Sequence, residues 1–125
     1  TMDLDLTRQA ELFDIARESW ARAGKPAPHL ATSFWFALGP IEDARDQIRR
    51  HLLRYMNWIP AEFVEAMAPN TGWAGDEESL SGVLRDFAAI GTDEIHLIPT
   101  STDLDQLRRV ADVVADFGGP RGSGT

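Results

Sequence analysis

The feature that most restricts the fold is segment 29–38, HLATSFWFAL, closed by Gly39-Pro40. Its β-branched and aromatic content reads as a strand. Alternation puts Leu30, Phe34, Phe36 and Leu38 on one face and Ala31, Ser33, Trp35 and Ala37 on the other. One face is bulky and the other mostly small, and both have the character of buried surface.

The flanking segments carry helical periodicity. Thr7 is placed to cap a helix with apolar positions Leu12, Phe13, Ala16, Trp20 and Ala23, ended by Gly24 and Pro26. Pro40 suits a first helical turn, and Glu42 and Asp43 suit its positive end. Ile41, Ala44, Ile48, Leu52, Tyr55 and Ile59 then form one stripe. Pro60 interrupts this helix, a short one over about 61–68 follows, and Pro69-Asn70-Thr71-Gly72-Trp73-Ala74-Gly75 reads as loop. Asp76 caps a helix carrying Leu80, Val83, Leu84, Phe87 and Ala88, with Gly91 placed to end it in the left-handed conformation. A second strand, Glu94-Ile95-His96-Leu97-Ile98, is closed by Pro99. Thr102 and Asp105 form a capping-box-like pair for the last helix, whose apolar positions are Leu104, Leu107, Val110, Ala111, Val114 and Phe117. Gly118-Gly119-Pro120 is expected to break it, leaving 118–125 as a flexible tail.

The order is therefore α-β-α-α-α-β-α. Strands separated by helices imply parallel pairing through right-handed crossovers, which is the α/β class. Two parallel strands leave both edges open and cannot bury both strand faces. Residues 1–117 thus read as a piece of something larger, completed by further chain or by a partner.

Composition narrows the function. The chain has 125 residues and a net charge of −8, with 20 acids against 12 bases, which disfavours nucleic acid as a partner. Its basic cluster, Arg49, Arg50, His51 and Arg54, lies within one predicted helix and reads as a solvated face. There is no apolar run of membrane-spanning length and no secretory-type start. Cysteine is absent, which fits a reducing cytoplasm and removes thiolate metal sites.

Three stretches resemble the end of the luciferase-like monooxygenases, the family of bacterial luciferase and of FMN- or deazaflavin-dependent oxidoreductases. They are AGKPAPHLATSFWFALGP at 23–40, the tyrosine-bearing run Arg50-His51-Leu52-Leu53-Arg54-Tyr55, and FAAIGTDEIHLIPTSTDLDQLRRVADVV at 87–114. The third is similar to the family's GxDE turn before the final barrel strand and its DxDQ helix start. This resemblance implies a partial TIM (β/α)8 barrel in which the two strands are the seventh and eighth. It implies hydride transfer or monooxygenation on a small organic substrate, with FMN or a deazaflavin supplying the chemistry. No residue here matches the family's mid-chain Gly-rich segment that holds the cofactor phosphate. The chain alone is therefore expected to bind no cofactor and to be inactive, its partner being the remainder of the barrel or a second copy. The alternative is a non-catalytic, self-associating interaction module derived from that family.

The residues themselves name no catalytic group. His29 begins a strand, His51 sits among arginines and His96 lies mid-strand, so no two share metal-ligand spacing. Asp76-Glu77-Glu78 fits a helix start, and no serine or threonine has an adjacent base. Strand ends at a barrel mouth meet substrate, so Trp35, Ala37 and Thr100 are candidate pocket-wall residues. Tyr55 and Trp73 join them as parts of an apolar lid.

Overall fold

The computed structural model describes residues 1–124, with side chains through Phe117. The elements are α1 (Leu6–Arg22), β1 (Ala31–Leu38), α2 (Ile41–Tyr55), α3 (Ala61–Thr71), β2 (Gly72–Gly75), α4 (Glu77–Ala89), β3 (Glu94–Pro99) and α5 (Leu104–Gly124). The tail expected over 118–125 lies outside the residues whose side chains are described; the α5 backbone is helical to Gly124.

Local chemistry sets most boundaries. Asp76 accepts from the Ser79 N–H (2.8 Å) to start α4, and Gly91 follows it at φ +89°, both as expected. α1 starts before Thr7, because Asp5 accepts from the Arg8 N–H (3.1 Å) and serves as its cap. The Thr102–Asp105 pair gives way to Asp103, which accepts from the Asp105 N–H (2.9 Å), while Ser101 accepts from the Asp103 N–H (3.0 Å).

The sheet is parallel, in the order β2-β1-β3. The two strands read from sequence pair with each other, from Ala31 opposite Glu94 to Phe36 opposite Pro99. The expected element order is corrected by a third strand. β2, within the segment read as loop, pairs from Trp35 opposite Gly72 to Leu38 opposite Gly75. Four residues bounded by glycines carry no periodicity to detect, but a central strand needs hydrogen-bond partners along both edges. Thr1 serves the other half of that edge, its amino group donating to the Ala31 carbonyl (3.0 Å) and its carbonyl accepting from the Ser33 N–H (2.9 Å).

Helices cover both faces of β1. Phe34, Phe36 and Leu38 pack with Leu80, Leu84 and Phe87 of α4 and with Val110 and Val113 of α5. Trp35 and Ala37 pack with Ala44, Ile48, Leu52 and Met56 at α2 and with Val64 of α3. Crossovers of one hand that step sideways in opposite directions place their helices on opposite faces. β1 steps to β2 through α2 and α3, and β2 steps back past β1 to β3 through α4.

Several apolar positions expected inside lie outside. On α5, Val110 and Val113 are buried while Leu104, Leu107, Val114 and Phe117 are exposed. Ile41 and Tyr55 of α2, and Leu12 and Trp20 of α1, are also exposed. Three strands offer too little sheet to cover the full stripe of each helix.

Candidate carboxyl-end site

Ligands enter open α/β sheets at the carboxyl ends of the strands, above all where neighbouring strands send their helices to opposite faces. Both gaps beside the end of β1 meet that condition. Between them stands a hydrogen-bonded bridge. The buried Thr100 hydroxyl donates to the Phe36 carbonyl (2.7 Å) and accepts from Gln47 Nε2 (2.8 Å). The Gln47 and Gln106 amides donate to each other's oxygens (3.2 and 3.0 Å), and the Leu38 N–H donates to Gln106 Oε1 (3.3 Å). The Thr100 hydroxyl, the Phe36 carbonyl and the Leu38 N–H at this strand end are thereby paired within the protein.

On the β2 side of the bridge, Gly39, Pro40, Ile41, Gly75, Asp76, Ser79 and Arg109 line a shallow cleft of about 520 Å³. Its wall is fixed by a two-pronged ion pair in which Arg109 Nε and Nη2 donate to Glu77 Oε2 and Oε1 at 2.8 and 3.0 Å. The Arg109 hydrogen bonds hold the Glu77 carboxyl down at about 2, below its ordinary 4.5. A carboxyl with a depressed folded value stabilises the fold above its unfolded value and loses that contribution as pH falls through the folded one. Acid titration from pH 4.5 towards 2 should therefore destabilise the wild type more steeply than Arg109→Ala, when unfolding midpoints are followed by circular dichroism. Both side chains are well exposed, so the difference will be small and will shrink with salt.

On the β3 side, Gln47, Arg50, His51, Arg54 and the Pro99-Thr100-Ser101-Thr102 turn line a polar cleft of about 570 Å³. Burial, and next the Arg54 charge, push the His51 imidazole below its usual range. Its ring stacks on Tyr55 at 5.9 Å with 9° between the planes. A third cavity, about 380 Å³ and mainly apolar, opens beside β2, where Leu4, Ile48, Ala68, Trp73 and Ala74 meet Arg45 and Arg49.

The five residues singled out from sequence are dispersed over these regions. Trp35 (7% exposed) and Ala37 (0%) lie beneath α2 and α3. Tyr55 meets Trp35 edge-on at 6.1 Å, its own ring exposed. Thr100 belongs to the bridge and the polar cleft, and Trp73 to the cavity beside β2. Taken singly, Gln47 and Gln106 carry no signal in the sequence, whereas Arg50 and Arg54 are exposed, as the expected solvated face requires, with His51 half-buried beside them. The spacing of 47, 50, 51 and 54 is one face of a helix, a usable signal, but the partners of Gln47 come from the distant 100–106 segment.

The remaining histidines share one carboxylate. Glu94 meets His29 Nε2 at 2.9 Å and His96 Nε2 at 2.6 Å across the amino ends of β1 and β3. The His29 hydrogen bond, and next the His96 charge, hold Glu94 below the ordinary carboxylate range. Among the described residues no group of three or more His, Asp or Glu is placed to hold a metal ion, and no helix is long and apolar enough to cross a membrane.

These elements define an α/β protein with an open three-stranded parallel sheet and two clefts at the strand carboxyl ends. Neither protein-family models nor curated proteins match the chain. Among solved structures, it is similar to an F420-dependent secondary alcohol dehydrogenase in complex with an F420–acetone adduct. The TM-score is 0.54 at 19% identity, over 78% of this chain and 36% of that one. This chain thus spans about a third of that enzyme's length, and the likeness is one of fold.

Proposed function

We propose that the chain is part of a luciferase-like oxidoreductase using a deazaflavin coenzyme, and that it supplies strands and helices of a barrel wall. The carrying observation is the fold likeness to the F420-dependent dehydrogenase over 78% of this chain. The reaction class is hydride transfer between a small organic substrate, such as a secondary alcohol, and the deazaflavin. FMN-dependent monooxygenation is the less supported version, since the similar structure holds F420. A cytoplasmic setting belongs to the same proposal.

The residues present do not by themselves fit the coenzyme. A tricyclic ring needs a flat apolar slot, and the strand face bearing Trp35 and Ala37 is filled by Leu52, Met56 and Val64. Two-sided helical cover is what three strands need when they stand alone; in a closed ring the Trp35 face would look inward. No catalytic step is therefore assigned to these residues. The exposed apolar residues of α1, α2 and α5 favour further protein surface around the chain. Sequencing the coding DNA upstream of Thr1 tests the reading. An in-frame run of further β/α units is expected, and a start codon immediately before Thr1 would overturn it.

The second reading, a self-associating module, draws on the outer edge of β3, which ends the sheet, and on exposed Leu104, Leu107 and Val114 of α5. Light scattering separates the two. A stable dimer favours the module, and a monomer across concentration favours the barrel-wall reading.

A further inference from the structure

The polar cleft beside β3 takes no part in the barrel-wall proposal. Arg50 and Arg54 lie one helical turn apart on α2, with His51 between them, and all three line the cleft. Facing them is the turn that carries Thr100, Ser101 and Thr102. Arg50 Nε is shared with Asp46 at 2.7 Å, whereas Arg54 has no carboxylate partner among the described residues. Two exposed guanidinia one turn apart raise the local positive potential, and an anion between them would offset their modest mutual repulsion. In a chain of net charge −8 that positive potential also stands against the overall field.

The bridge leaves particular donors for a ligand. The Thr100 hydroxyl and the Gln47 amide are committed within it. The Ser101 oxygen accepts from the Asp103 N–H, which leaves its hydroxyl hydrogen for another acceptor. The Asp103 carboxylate accepts from the Asp105 N–H and so caps the start of α5. Guanidinia and hydroxyls, rather than the helix start, must then hold any anion. Two forked cations opposite a pair of hydroxyls suit a tetrahedral dianion better than a planar carboxylate.

We propose that this cleft binds a phosphate group, free or as a small phosphate monoester, with Arg54 and Arg50 as its charge partners and Ser101 and Thr102 as hydroxyl donors. This does not depend on the deazaflavin reading.

Titration of the full chain with inorganic phosphate, followed by NMR, tests it, with acetate at equal ionic strength as the carboxylate arm. Saturable shifts are expected at His51, Ser101 and Thr102. A bound anion favours the charged imidazole, so the His51 titration midpoint should rise with phosphate. Exposed Arg54→Ala should weaken binding about tenfold or more while leaving the fold intact. Arg45→Ala, on another face of the same helix, should leave it unchanged. A glycerol-phosphate arm separates sources: binding equal to or tighter than phosphate indicates a monoester, and weaker binding indicates the free ion. Non-saturating shifts, equal response to acetate, or unchanged affinity in Arg54→Ala would each overturn the assignment.

Discussion

Phe34→Ala is expected to cost about 3–5 kcal/mol of folding stability, the usual range for truncating a buried phenylalanine. Phe34 is fully buried in the centre of β1 and stacks on Phe87 of α4, with ring centroids 6.0 Å apart and planes inclined by 24°. Its neighbours in that core come from α4 and α5, so the cavity opens where three elements meet. Small domains have only about 5–15 kcal/mol in hand, and the variant should be largely unfolded at moderate urea. A loss below about 1 kcal/mol in urea titrations would mean that this face of β1 is not the packed interior described above.

Gly72→Val tests the strand that sequence patterning did not reveal. Gly72 has φ −121° and ψ 124°, ordinary extended backbone open to any residue, so the effect is steric. A Cβ there would lie 2.5 Å from Ile48 Cγ2 and 3.2 Å from the Ala68 carbonyl oxygen. Ile48 is buried and a helix carbonyl cannot swing aside, so β2 must lift from β1. Overpacking of this kind costs about 1–3 kcal/mol, and amide exchange should accelerate at Trp73, Ala74 and Gly75 before the rest of the sheet. Gly82→Ala is the matched control. Gly82 lies within α4, where a Cβ meets nothing closer than the Arg85 side chain at 3.8 Å. It should be stabilising by about 0.5–1 kcal/mol through helix propensity. If Gly72→Val behaved like Gly82→Ala, the β1–β2 pairing would be wrong.

Sequence legibility follows the range of the interactions involved. β1 and β3 were readable because alternation and β-branched content are local properties, and α4 because Asp76 and Gly91 mark its ends. β2 was not, since what makes Gly72–Gly75 a strand is the unfilled edge of β1, far away in sequence. Pro69 inside α3 also read as a stop, although the helix continues to Thr71. The stripe of α5 was shifted for a related reason. Periodicity finds an apolar face, but the sheet available decides that Val110 and Val113 go inside while Leu107 and Val114 stay out. At the candidate site, Thr100 was legible as a strand end, while the Gln47–Gln106 bridge joins amides that nothing local marks.

The most direct measurement of the central claim is fluorescence titration with F420 of a variant that keeps Trp35 and carries phenylalanine at Trp20, Trp58 and Trp73. Because α2 and α3 seal the Trp35 face, Trp35 emission, corrected for absorption by the coenzyme, should stay unchanged through a molar excess. Saturable quenching at about one coenzyme per chain would contradict the account, because the chain alone would then hold a deazaflavin that its residues do not fit.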